Sequence, residues 1–128
     1  MQHIINTVGD VMDIVTLSHG SGGKATNTLI SDIFYKHFNN DILMQQNDSS
    51  VLPKLNGRIA VTTDSFVINP IFFPGGDIGK LSVCGTVNDL AMSGAKPLYI
   101  TVGFIIEEGL SFDDLEKIVI SIAKTAKE

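Results

Sequence analysis

The stretch Leu98–Ile106 constrains the fold most. It reads LYITVGFII, nearly continuously apolar, and ends at Glu107-Glu108-Gly109. A run of this length predicts a strand buried on both faces rather than the alternating strand of a one-sided sheet. Helices are expected on either side of it in sequence. One runs over 78–93, with Leu81, Cys84, Val87, Leu90 and Ala91 along one side, Asp77 as its cap and Gly94 as its stop. Another starts at Ser111, with Asp114 three residues on, and carries a stripe of Leu115, Ile118, Val119, Ile122, Ala123 and Ala126.

Upstream, Leu29, Ile30, Ile33, Phe34 and Phe38 recur at helical spacing, so residues 24–38 form a first helix, stopped by Asn39-Asn40. Residues 42–44 read as a short strand and 45–55 as a polar loop. Asn56-Gly57 reads as a tight turn into a strand over 58–63, which 66–68 continues or pairs with. Residues 1–23 have irregularly spaced apolar positions and lead into Ser18-His19-Gly20-Ser21-Gly22-Gly23. Three glycines in four positions make a flexible chain, so 1–23 is expected to be an extended arm or lid on a domain spanning 24–128. The last helix meets no Gly or Pro before Glu128, which suggests a fragment of a longer protein.

Charge and cysteine content narrow the function classes. Nine Lys and Arg against 14 Asp and Glu give a net charge of −5, with no electrostatic reason to bind nucleic acid. The single Cys84 excludes an internal disulfide and a multi-thiolate zinc site and fits a reducing compartment. It lies on the apolar stripe of its helix and reads as a buried structural thiol. No secretory leader and no run long enough to span a bilayer is visible, so a cytoplasmic protein is expected. His3, His19 and His37 lack metal-ligand spacing.

Several segments carry possible chemistry. Gly20-Ser21-Gly22-Gly23-Lys24 is not a P-loop: the first glycine of that motif would fall at Ser18, and Ala25 stands where Ser or Thr is needed. It still offers backbone amides and Lys24 at a helix start for phosphate, but on spacing alone a flexible arm with a surface lysine is the commoner outcome. Asp48, Asp64 and Asp89 sit where strands and loops meet, a disposition that suits magnesium; a turn residue, a local cap or a solvated side chain explains each as well. Asn88-Asp89 is a polar pair in an otherwise apolar helix, which costs desolvation unless it is bonded or functional. Phe72-Phe73 before Pro74-Gly75-Gly76 offers cover for a nucleotide or two core anchors. Glu107-Glu108 offers a base or a solvated strand end.

Together, His19–Lys24, Asp48–Leu52, Thr62–Phe66, Phe72–Lys80, Cys84–Pro97 and Ile106–Gly109 resemble, in order, the HypE-type hydrogenase maturation proteins. That family lies within the superfamily of aminoimidazole ribonucleotide synthetase, selenophosphate synthetase and thiamine-monophosphate kinase. The resemblance implies an α/β domain with a mixed four-stranded sheet, helices on one face, and sheets that pair into a barrel across a homodimer. It implies ATP and Mg2+ as cofactors. Asp48, Asp64 and Asp89 would hold metal and phosphate, Asn88 would orient phosphate, and Gly22, Gly23 and Lys24 would close over it. Lys24 and Asp89 would then act in catalysis. It further implies ATP-driven dehydration of a C-terminal cysteine thiocarboxamide to a thiocyanate for the cyanide ligands of the nickel–iron centre. Carbamoyltransferase and scaffold or chaperone maturation factors would be partners, and membranes would not. On this resemblance the C-terminal domain is expected to be missing from these 128 residues, and Cys84 is not expected to be the carrier. Another synthetase or kinase of the superfamily, or a non-catalytic dimerisation module, are the alternatives; the arm lacks the Cys or selenocysteine expected of selenophosphate synthetase.

Overall fold

The computed structural model describes residues 3–5 and 11–128, the backbone alone at 3–5, 11 and 12. The expected arm at residues 1, 2 and 6–10 lies outside the described residues. Its remainder opens with two short strands, β1 (His3–Ile5) and β2 (Val11–Asp13), paired antiparallel with Ile4 opposite Met12.

Beyond β2 the chain joins the core rather than running free. Val15 donates from its N–H to the Leu110 carbonyl and accepts from the Gly109 N–H, both at 2.8 Å. Its side chain is buried with Leu29, Ile33, Leu115 and Val119. Val15 thus anchors the base of the expected arm to the core.

The first helix covers 24–38 as the spacing predicts, in three parts: α1 (Lys24–Leu29), a π-helical segment Ile30–Tyr35, and α2 (Lys36–Phe38). Leu29 and Ile33 face the core, with Phe34 and Phe38 packed beside them. Residues 42–44 are not a strand. The Asn40 Oδ1 accepts from the amides of Ile42 and Leu43, which turns the chain into a 3-10 helix, Leu43–Gln45.

Phe72-Phe73 and Gly76-Asp77 pair as β3 (Phe72–Phe73) and β4 (Gly76–Asp77) around Pro74-Gly75, where Gly75 takes φ 95°. Proline followed by a left-handed glycine is the sequence such a turn requires. Asp77 then caps α3 (Ile78–Met92), accepting from the N–H of Gly79 and Lys80 at 2.7 and 3.1 Å. Gly94, at φ 65°, ends it.

Ser111 caps α4 (Phe112–Thr125), accepting from the Asp114 N–H. Leu115, Ile118, Val119 and Ile122 are buried along its inner side, as the stripe predicts. The two long helices cross at Gly79, where a Cβ would stand 2.6 Å from the Ile118 carbonyl oxygen. Glycine is what lets the two backbones approach so closely. Val83 faces this crossing with Ile118 and Ile122, and Val87 of the expected stripe packs beside them, but Cys84 is exposed. A thiol one position round the helix from the buried residue points away from the partner.

The apolar run 98–106 departs most from expectation. Among the described residues it joins no sheet, and the same is true of 58–63 and 66–68. It is not buried on both faces: Phe104 and Ile106 pack on the core, while Ile105 is fully exposed. Val61 and Val67 are 87% and 96% exposed. A strand satisfies its backbone only through a neighbour, and here none lies alongside.

Candidate functional site

The glycine loop is built from both ends. On one side, Leu17–Gly20 forms a single 3-10 turn after Thr16. On the other, α1 begins at Lys24. Between them Gly22 adopts φ 80°, a conformation that favours glycine. The Gly22 N–H is taken by the Thr26 hydroxyl at 3.0 Å, so this amide is not free for phosphate as the sequence suggests. Lys24 is exposed. With Gly22, Gly23, Asn27, Thr28, Ser31 and Asp32 it lines an open concavity of about 510 Å³. Its chemistry is mixed: one ammonium, several small polar groups and one carboxylate. Thr26 was not predicted as part of the loop, although a hydroxyl three residues into a helix is a common partner for an amide before it.

Asn88 and Asp89 lie exposed on α3, so the pair carries no desolvation cost. Asp89 Oδ2 accepts from the Thr62 hydroxyl at 3.3 Å. This bond, with the Phe66 ring lying against Gly85, ties residues 62–66 along α3. Asp64, in that stretch, accepts from the Ser65 N–H through its own Oδ1 at 2.7 Å, a local cap. Asp48 is exposed in the loop after the 3-10 turn. Among the described residues no group of three His, Cys, Asp or Glu side chains is arranged to hold a metal ion. Asp48, Asp64 and Asp89 are thus not gathered into one cluster. The physical reason is the missing ladder: Asp64 follows a run expected to be a strand, and nothing fixes that run against the loop that carries Asp48.

Other candidates resolve simply. Glu108 accepts from the Leu17 N–H at 3.3 Å, joining the end of 98–106 to the turn before the glycines. Phe72 lies under the Lys117 ammonium, 5.8 Å from its ring centre. His37, expected at a helix end, meets Glu116 at 2.7 Å, and Lys36 meets the same oxygen at 2.6 Å. These two contacts hold the Glu116 carboxyl below its ordinary range, the Lys36 bond most. Asp114 is likewise lowered by its bond to Lys117 at 2.7 Å. A second concavity, about 1320 Å³ and largely apolar, opens between the first helix, α4 and the 98–106 run; Phe34, Phe38, Val102, Phe104 and Ile122 line it. No helix among the described residues is long and apolar enough to cross a membrane.

The fold and the ordered segments define an α/β domain of one family. The chain belongs to the AIR synthase related proteins, whose N-terminal domain matches residues 46–128. Within that family it is similar to the HypE proteins. It is 54% identical over 114 residues to the carbamoyl dehydratase HypE of Bradyrhizobium diazoefficiens, covering 89% of this chain and 33% of that protein. It is 48% identical over 121 residues to the Escherichia coli HypE, covering 91% and 36%. A crystal structure of the hydrogenase maturation protein HypE in complex with ATP matches with a TM-score of 0.83 at 55% identity, over 87% of this chain and 33% of that one. The chain thus spans about a third of the length of these relatives.

Proposed function

We propose that this chain is the nucleotide-binding, dimerising N-terminal part of a hydrogenase maturation factor. The observation that carries the reading is the 55% identity, at a TM-score of 0.83, to a HypE solved with ATP. In the whole protein, ATP drives dehydration of a C-terminal cysteine thiocarboxamide to thiocyanate, the source of cyanide for the nickel–iron centre. Phosphoryl transfer to the amide oxygen turns a poor leaving group into phosphate. The nitrile forms as that phosphate departs and the amide nitrogen loses its protons. Cys84, in the middle of α3, is not the carrier in this reading.

In this reading Gly23 and Lys24 meet the phosphates at the start of α1, and Asn88 orients them. Asp89, Asp64 and Asp48 are the ligands for magnesium that accompanies ATP, converging only once the extended runs are paired. Those runs form the four-stranded sheet, and two such sheets close a barrel between copies. The exposure of Val61, Val67 and Ile105 supports this, since such side chains ask for cover. The whole protein works in the cytoplasm with a carbamoyltransferase and scaffold or chaperone factors.

Calorimetric titration with ATP, with and without magnesium, tests the reading. Saturable, magnesium-dependent binding is expected, and Asp89→Asn should weaken it about tenfold, the loss of roughly one charge-assisted contact. Unchanged affinity removes Asp89 from the site. Absence of binding in the unaltered protein would leave a dimerisation module without nucleotide.

A further inference from the structure

The glycines of the 20–23 loop have almost nothing to lean on. A Cβ added at Gly20, Gly22 or Gly23 would meet no atom within 4 Å. Their position is therefore inherited from the turn before them and the helix after them. The turn is closed by one side chain. His19 Nδ1 accepts from the Thr16 N–H at 3.0 Å, while the His19 N–H donates to the Thr16 carbonyl at 2.9 Å. The Thr16 hydroxyl lies 3.0 Å from the same Nδ1 and 2.8 Å from the Ser18 hydroxyl. Ser21 then bonds the Ser18 carbonyl through its hydroxyl at 2.8 Å. On its other side the imidazole stands edge-on to Phe112, the first residue of α4, with ring centres 5.3 Å apart and planes at 83°. Val15, one residue before Thr16, is in the core.

We propose that His19 is a positioning residue of the nucleotide site: its Nδ1 closes the 16–20 turn, and so sets where Gly22, Gly23 and Lys24 stand. This rests on the reading that the loop meets phosphate. A backbone N–H can only donate, so Nδ1 serves as the acceptor in this contact. The atom that matters is thus an acceptor two bonds beyond Cβ. Asparagine supplies such an acceptor through Oδ1, whereas the polar atoms of glutamine lie one bond further out. Glu108, bonding the Leu17 N–H, is a second and weaker hold on the same turn.

The test is magnesium–ATP titration of the intact protein and its His19→Ala, His19→Asn and His19→Gln variants, with amide hydrogen exchange over 18–24. His19→Ala and His19→Gln are expected to lose about tenfold in affinity, and their 18–24 amides to exchange faster without nucleotide. His19→Asn is expected to stay within about twofold of the unaltered protein on both readouts. A ring that only fills space predicts equal loss for Asn and Gln, and that result overturns the proposal. Unaltered affinity in His19→Ala also overturns it while the nucleotide reading survives. No binding by the unaltered protein ends both.

Discussion

The helices and the extended apolar runs of this chain obey different rules. On α4, Leu115 and Val119 are 1% and 0% exposed. On the extended runs, Ile105, Val67 and Val61 are 104%, 96% and 87% exposed, although their hydropathy is equal or greater. A helix closes its own hydrogen bonds and needs only one apolar face covered. A strand leaves every second backbone group and one or both faces for a neighbour. Hydrophobicity alone does not bury a residue; backbone satisfaction has to come with it. The helices bury their apolar face within one chain, whereas the runs that carry Val61, Val67 and Ile105 leave these side chains uncovered.

The largest effect expected from this contrast is on assembly. Light scattering at micromolar protein should give twice the monomer mass, and Ile105→Lys, on a side chain with no packing of its own to lose, should give a monomer with unchanged helix content. A monomeric unaltered protein would break the comparison, since the exposed runs would then have no partner of the same kind. Inside the helical half, Leu115→Ala should cost about 2–5 kcal/mol in denaturant unfolding, as for a buried leucine with no room to collapse. Ile105→Ala should change monomer stability by less than about 0.5 kcal/mol.

Two glycines sharpen the point about what a helix leans on. Gly79→Ala places a Cβ 2.6 Å from the Ile118 carbonyl oxygen, backbone against backbone, and should cost about 1–3 kcal/mol. Gly85→Ala meets the Phe66 ring at 2.6 Å instead. That contact is with the far end of a side chain rather than with backbone, so the loss in thermal unfolding should be smaller. Equal losses would mean that residues 62–66 are as firmly held as α4.

Legibility in the sequence followed the same division. The helix over 24–38, the helix expected over 78–93 and found at Ile78–Met92, the Asp77 and Ser111 caps and the Gly94 stop were readable because caps and periodicity are local. The α4 stripe was readable because its buried face is chemically uniform. Cys84 was misassigned because Val83 and Cys84 are both apolar enough to suit a core, and only the angle of crossing at Gly79 chooses between them. The buried strand expected over 98–106 is absent among the described residues, since pairing and burial depend on a neighbour the sequence does not name. Of the candidate site, Gly22, Gly23 and Lys24 line one concavity because they are neighbours in sequence. Thr26 was not singled out, and the partners of Thr62 and Glu108 were not foreseen, because each acts through a contact that exists only after folding. The three aspartates were chosen singly by position, and position does not bring them together.

A smaller effect should appear where the first helix meets α4. Asp77→Ala, which removes acceptors for the Gly79 and Lys80 amides, should cost about 1 kcal/mol and sets the scale for a single polar contact in this half. The Glu116 carboxylate, reached by Lys36 and His37, should be worth less, because Lys36 is 59% exposed and water screens the pair. Its pKa is lowered in the folded chain, from an ordinary value of 4.5, chiefly by Lys36 and then by His37. A lowered carboxyl pKa means stability present above that ordinary value and lost as pH falls through the folded one. The unaltered protein should therefore exceed Glu116→Gln by a few tenths of a kcal/mol at about pH 6, and the gap should close by about pH 3. Denaturant unfolding at the two pH values measures it. A gap that persists in acid would mean that Glu116 contributes through packing on the first helix rather than through its charge.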